Sequence, residues 1–353
     1  MQNRILLLLS PLIVVLSAST AVDNRVDLML DTSEADQVLV ILALRAAGQP
    51  IDDAQWQKLF AAEPYQRLKE REAAIAKRFN APENVLRDED FRKFVLSDDL
   101  LKRAPELRAT LTHWKQTDLQ RTGRRLLEYL PTSAIIRAKV YPTIKPNTNS
   151  FVWETTTNPA IFLYLDPEVS EAKFQNTVAH ELHHIGLASA QADYEKRIRA
   201  LPERPHAVAD AMAGFGEGLA MLAAAGGPKV DPHAASSPQE QARWKHDIAN
   251  FDHDLREVNA FFIDVLNGKF PNEDAIEEKA SSFYGAQGPW YTVGYKMAVM
   301  VEERFGRDAL IKTMLDPRQL LVLYNQVAAE QNRTGKPQFS RWSDEVLRQV
   351  ETQ

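Results

Sequence analysis

The chain has 353 residues and a formal net charge of −6, from 42 Lys and Arg against 48 Asp and Glu. So mildly acidic a balance leaves no electrostatic footprint for nucleic acid, and no nucleic-acid partner is expected. Cysteine is absent, which excludes disulfides, thiolate metal sites, cysteine nucleophiles and lipidation at a cleavage-site cysteine.

The first 21 residues have the pattern of an export signal. Arg4 gives a positive start, residues 5–16 are apolar, and Ser19-Thr20-Ala21 forms a small-residue cleavage site. The run is short for a membrane span and is interrupted by Pro11, so cleavage is expected rather than anchoring. Cleavage moves the formal charge from −6 to −7. An exported, cysteine-free chain fits a periplasmic or secreted bacterial protein. No later segment reads as long and apolar enough to span a bilayer.

Residues 22–130 read as a helical N-terminal subdomain. Ser33-Glu34-Ala35-Asp36 opens a helix carrying Val38, Leu39, Ile41, Leu42 and Leu44, and Gly48-Gln49-Pro50 stops it. Further amphipathic stretches cover 53–62, 65–79, 91–96 and 105–130. Nothing in them suggests catalytic chemistry, and His113-Trp114 reads as a packed aromatic turn.

Residues 131–353 change texture. Segments 134–141 and 150–154 are β-like, separated by Pro142, Pro146 and Asn147, and 160–165 is a third strand ended by Asp166-Pro167. An edge strand of such a sheet commonly aligns an extended peptide by backbone hydrogen bonds. A helix follows, with Ser170 as N-cap and Phe174, Val178, Leu182 and Ile185 on one side. Beyond it come a helix or linker at 190–200, a turn at Pro202–Pro205 and a small-residue helix at 207–225. A loop at 226–238 leads to one long helix at 239–266. Helical patterns then cover 273–283, 291–305, 308–315 and 319–331. The fold class expected is α+β, predominantly α, with a small sheet.

The helix after Ser170 contains His180-Glu181-Leu182-His183-His184. Residues four apart share a helix face, so the imidazoles of His180 and His184 can converge on one metal ion. Glu181, beside that face, can reach the open coordination position where a water would lie. With eight His in the chain, chance alone produces this pentad in roughly one such sequence in a hundred. Two ligands and a general base in one turn mark a zinc metallopeptidase. His183 cannot share the face and reads as exposed or as support for the ligands.

Catalytic zinc usually takes three protein ligands. A third histidine at the spacing H-E-x-x-H-x-x-G-x-x-H is missing, because positions 187 and 190 are Leu and Ala. The best candidate is Glu217, between Gly214, Gly216 and Gly218. Each helical glycine costs about 1 kcal/mol relative to alanine, and close helix approach around a buried acid is a reason to keep them. Asp193, Glu195, His206 and Asp210 are rivals; His206, directly after Pro205, reads as a loop residue, and Asp210 as a support for a ligand histidine. Tyr291 and Tyr295, four apart at a helix start, can point phenols into one cleft and stabilise an oxyanion. Ordinary core packing accounts for them equally well. His246 and His253 read as a solvated face.

With H-E-L-H-H at 180–184, G-E-G-L-A at 216–220 and G-P-W-Y-x-V-G-Y-x-M-A at 288–298, the chain resembles gluzincin-type metallopeptidases. More narrowly, it is similar to an uncharacterised bacterial family of exported zinc-dependent peptidases. The resemblance implies a zincin-like catalytic domain with Zn2+ on His180, His184 and Glu217, Glu181 as acid/base and a peptide or protein substrate. It departs from common subfamilies at Met221, where an Asp often supports the histidines. Two other readings stay open: a non-catalytic zinc-binding periplasmic module, and a zinc hydrolase of a non-peptide amide.

Overall fold

The structure, a computed structural model, describes residues 24–78, 81–335 and 338–350. The export signal expected at 1–21 lies outside the described residues, as does Phe79. Strand β1 (Val26–Leu30) is followed by helices α1 (Ser33–Ala46), α2 (Asp53–Phe60), α3 (Glu63–Arg78), α4 (Asp88–Val95), α5 (Asp98–Trp114) and α6 (Leu119–Leu126). Then come β2 (Ile136–Thr143), β3 (Phe151–Trp153), β4 (Ala160–Tyr164) and α7 (Glu171–Ala188). The remainder is helical: α8 (Ala192–Ile198), α9 (Glu203–Ala211), α10 (Gly216–Ala225), α11 (Pro238–Ala249), α12 (Phe251–Leu266) and α13 (Glu273–Ser282). The last elements are α14 (Pro289–Phe305), α15 (Arg307–Met314), α16 (Pro317–Thr334) and α17 (Asp344–Val350). The mostly helical α+β architecture agrees with the sequence reading.

The sheet runs β1-β2-β4-β3, with β1, β2 and β4 parallel and β3 antiparallel on the edge beside β4. β1 was not expected from the sequence. Its five residues pair Val26 with Ile136 through Leu30 with Val140, so the sheet takes a strand from the N-terminal region. One continuous cluster of buried side chains joins Leu39 and Tyr65 of that region to Phe174, Leu182 and Trp290.

Pro142 lies inside β2, although a proline in a central strand ordinarily removes a ladder hydrogen bond. In this parallel ladder Lys139 and Thr143 bond toward the β4 side, while Val140 accepts from Asp31 on the β1 side. Pro142 falls on the β1 side two residues after the last β1 pairing, at Leu30 with Val140. No strand partner is there to miss its N–H.

Three further boundaries differ from the sequence reading. The long helix at 239–266 is two helices that meet at Asn250, whose side-chain amide donates to the His246 carbonyl at 3.3 Å and closes α11. The prolines at 202 and 205 begin α9 instead of forming a turn, since first-turn residues need no backbone donor. His206 is therefore helical. The run 203–225 is long and apolar enough by composition to cross a bilayer, contrary to the sequence reading, and 72% of its apolar window is buried inside the protein. That burial accounts for its composition.

Candidate metal centre

The site is built where α7 and α10 cross. Ser170 caps α7 by accepting from the Lys173 N–H at 3.2 Å. Phe174, Val178, Leu182 and Ile185 are buried, and Trp114 stacks on Phe174 at 4.1 Å. Gly186 lets the helix lie against the start of β2, where a side chain would collide with Leu130. Burying that face turns His180 and His184 toward α10.

Glycines on α10 and α14 set the other wall. A Cβ at Gly218 would collide with the backbone of Gly294 and Tyr295, and one at Gly294 would lie 2.6 Å from the Phe215 carbonyl. A Cβ at Gly214 would strike the Trp290 ring. The cost of glycine in a helix is thus explained at 214 and 218 by close approach. Gly216 meets only His184 Nδ1, at 3.9 Å.

The result is a convergence of three donor atoms. His180 Nε2 is 3.0 Å from Glu217 Oε2, His184 Nε2 is 3.5 Å from the same oxygen, and the two Nε2 atoms are 3.2 Å apart. Zinc bound tetrahedrally at about 2.0–2.1 Å puts its ligand atoms roughly 3.3 Å apart, a value these separations bracket. The N,N,O donor set suits zinc. The electrostatics agree. Burial opposes charge on Glu217, yet the two imidazoles outweigh it and hold the carboxyl far below the usual range. Burial likewise opposes charge on His184, and Glu217 overrides it, raising the imidazole to about 9. The carboxylate requires positive charge at this point, and a divalent cation meets the same demand. The residues fit a zinc ion.

Glu181 sits beside the donors. Burial pushes its carboxyl up, opposed by His180 and His184 and supported by Glu217. His183 is fully buried rather than exposed, and burial with the neighbouring histidines pulls its pKa down to about 3, so it is neutral.

The two tyrosines part company. The Tyr291 ring lies nearly parallel to His180 with centroids 6.5 Å apart. Burial, the Glu217 charge and a hydrogen bond to Glu217 push its phenol far above the ordinary range, so it keeps its proton. Tyr295 instead directs its hydroxyl to the Val230 carbonyl at 3.5 Å and packs edge-on against Trp244. The rival ligands lie elsewhere: Asp193 and Glu195 are exposed on α8, with Glu195 paired to Arg199. His206 and Asp210 line a separate cleft with Glu273 and Glu277. His113, His246 and His253 are exposed.

Three residues at the site were not singled out from sequence. His233 is buried, with Nδ1 3.0 Å from Ser236 Oγ and Nε2 2.7 Å from the Gln287 amide nitrogen. Burial and the Lys173 charge lower its pKa to about 4, so its ring is neutral. Gln287 adopts a left-handed φ of 69°. Tyr284 is 43% exposed, and partial desolvation with the nearby Glu217 charge raises its phenol pKa. Gln287 stands directly before the Gly288-Pro289-Trp290-Tyr291 run and was findable there; nothing in sequence says that the loop carrying His233 folds over α7.

A half-buried His-His-Glu constellation with a neighbouring glutamate is the kind of centre found in zinc-dependent hydrolases. Residues 56–333 match the family described as "Putative zinc dependent peptidase (DUF5700)", and the chain belongs to that family. Comparison with curated proteins and comparison with solved structures each give no match.

Proposed function

We propose that the protein hydrolyses peptide bonds with a zinc ion held by His180, His184 and Glu217, in a gluzincin-type arrangement. The observation that carries this reading is the approach of the three donor atoms, all within 4.8 Å of one another, with Glu181 half-buried alongside. When bound, zinc supplies a Lewis acid that polarises a carbonyl and acidifies water.

The chain's own residues do the rest. Glu181 takes a proton from the attacking water and returns it to the leaving amine. Tyr291 keeps its phenolic proton and donates a hydrogen bond to the negative charge developing on the substrate oxygen. His183, neutral and buried, carries no charge that would repel the cation. A module that only bound zinc would have no use for a base beside the metal, which favours catalysis. The reading includes export: after loss of residues 1–21 the protein would meet its peptides in the periplasm or outside the cell.

The test is Glu181→Gln. The variant should bind zinc as the wild type does and lose hydrolysis of peptide mixtures followed by mass spectrometry. Wild-type turnover in the variant would remove Glu181 from the mechanism.

A further inference from the structure

Two clefts meet α7 on either side of the metal-binding turn, and their chemistry differs. Toward the N-terminal end of α7 lies a cleft of about 160 Å³ lined by Lys173, Asn176, His180, His233, Gln287 and Tyr291. Toward the C-terminal end lies one of about 190 Å³ lined by His184, Leu187, Met212, Phe215, Leu219 and Met314. Glu217 stands between them on α10, with Leu219 in one wall and Met221 in the other. A cavity of about 150 Å³ holds a benzene-sized group, so each cleft accommodates one amino-acid side chain.

The first cleft sets Asn176, Thr177, His233 and Gln287 among apolar walls that include Met221 and Pro232, and it has no charge to spare. Lys173 donates to Ser236 Oγ at 2.8 Å and pairs with Glu240 at 3.3 Å. The neutral His233 ring is engaged at both nitrogens, by Ser236 and Gln287. That leaves the Gln287 amide with one end fixed on His233 and the other, Oε1, buried without a hydrogen-bond partner among the described residues. The two ends of an amide are interchangeable in placement, and in either orientation one polar atom lacks a protein partner. Leaving such an atom unmatched is unfavourable, and a ligand's donor or acceptor there relieves it. Gln287 is also held at positive φ, and strain in a non-glycine residue recurs at ligand clamps. The second cleft is walled mainly by apolar carbon, with Thr155 and Gln191 at its polar positions.

We infer that the metal centre is flanked by two side-chain subsites of opposite chemistry, and that Gln287 makes the cleft beside His180 selective for an uncharged hydrogen-bonding side chain (Asn, Gln, Ser or Thr). The cleft beside His184 takes a large apolar one. Successive side chains of an extended peptide point to opposite sides, so the two residues flanking the cleaved bond fill one cleft each. The inference deepens the peptidase reading and rests on it.

The experiment uses two readouts on full-length mature protein loaded with zinc. Wild-type protein is incubated with a peptide library randomised over six positions, and cleavage sites are mapped by mass spectrometry. Catalytically disabled Glu181→Gln protein captures peptides from the same library, which are sequenced. Both should show an uncharged polar residue on one side of the cleaved bond and Leu, Met or Phe on the other. The polar choice should be favoured on the order of tenfold over Leu, Asp or Lys. In Gln287→Leu, verified to bind zinc, that preference should disappear while the apolar one remains. Cleavage or capture without this pairing in the wild type overturns the inference and leaves the hydrolase standing, as does an unchanged preference in a folded Gln287→Leu. Neither cleavage nor capture of any peptide overturns the inference together with the peptidase reading.

Discussion

Gly218 of α10 and Gly294 of α14 bring two helix backbones into direct contact: a Cβ placed at Gly294 would lie 3.2 Å from the Gly218 Cα. This crossing fixes the height of α10 and places Glu217 opposite His180 and His184.

Gly218→Ala should therefore damage stability and metal binding together. Overpacking a helix crossing costs typically 1–3 kcal/mol, with more where the obstacle is backbone. Urea denaturation and zinc titration of the variant should show both losses. Gly216→Ala, which meets only His184 Nδ1 at 3.9 Å, should be stable and retain zinc.

Tyr291 faces the His180 ring, whereas Tyr295 turns to Val230 and Trp244. Tyr291→Phe removes a donor to developing charge and should lower kcat by about 10²–10³ with little change in KM. Tyr295→Phe loses only a long contact to Val230 and should stay within about twofold in kcat/KM. Equal losses in the two variants would contradict the assignment of Tyr291.

Stability should vary with pH through two buried groups, Glu34 of α1 and Lys145 just after β2. Glu34 is fully buried, accepts from the Ile144 N–H at 3.0 Å, and is pushed up to about 8 chiefly by burial. Its folded pKa lies above its unfolded one, so its contribution is fully present below about pH 4.5 and is lost as pH rises toward 8. Lys145 is buried and lowered to about 8 by the same cause, which penalises folding below that value and is relieved between about 8 and 10.5. The two slopes have opposite sign, and together they give a stability minimum near pH 8. In Glu34→Gln the decline on the acidic side should flatten, removing a few kcal/mol of pH dependence, as read from urea midpoints between pH 5 and 9.

Sequence was informative where the deciding contacts are local. The pentad on α7 was legible because a four-residue spacing alone puts His180 and His184 on one face. Glu217 was legible because glycine is expensive in a helix and at 218 the close approach is real. Features set by tertiary placement were not. β1 exists because β2 is there to pair with it, and Pro142 is tolerated because β1 has already ended. Asn250 breaks a helix through one side-chain bond to His246, where no Pro or Gly gives warning. His233 and Gln287 meet across 54 positions of chain, and no spacing rule anticipates that.

His180, His184 and Glu217 are assigned here to one zinc ion. The direct measurement is zinc content per chain, by elemental mass spectrometry, of mature wild-type protein beside Glu217→Ala and His184→Ala after equilibration with zinc and removal of excess. One zinc per wild-type chain and clear loss in both variants are expected. Full occupancy in Glu217→Ala, or none in zinc-replete wild type, would contradict the assignment.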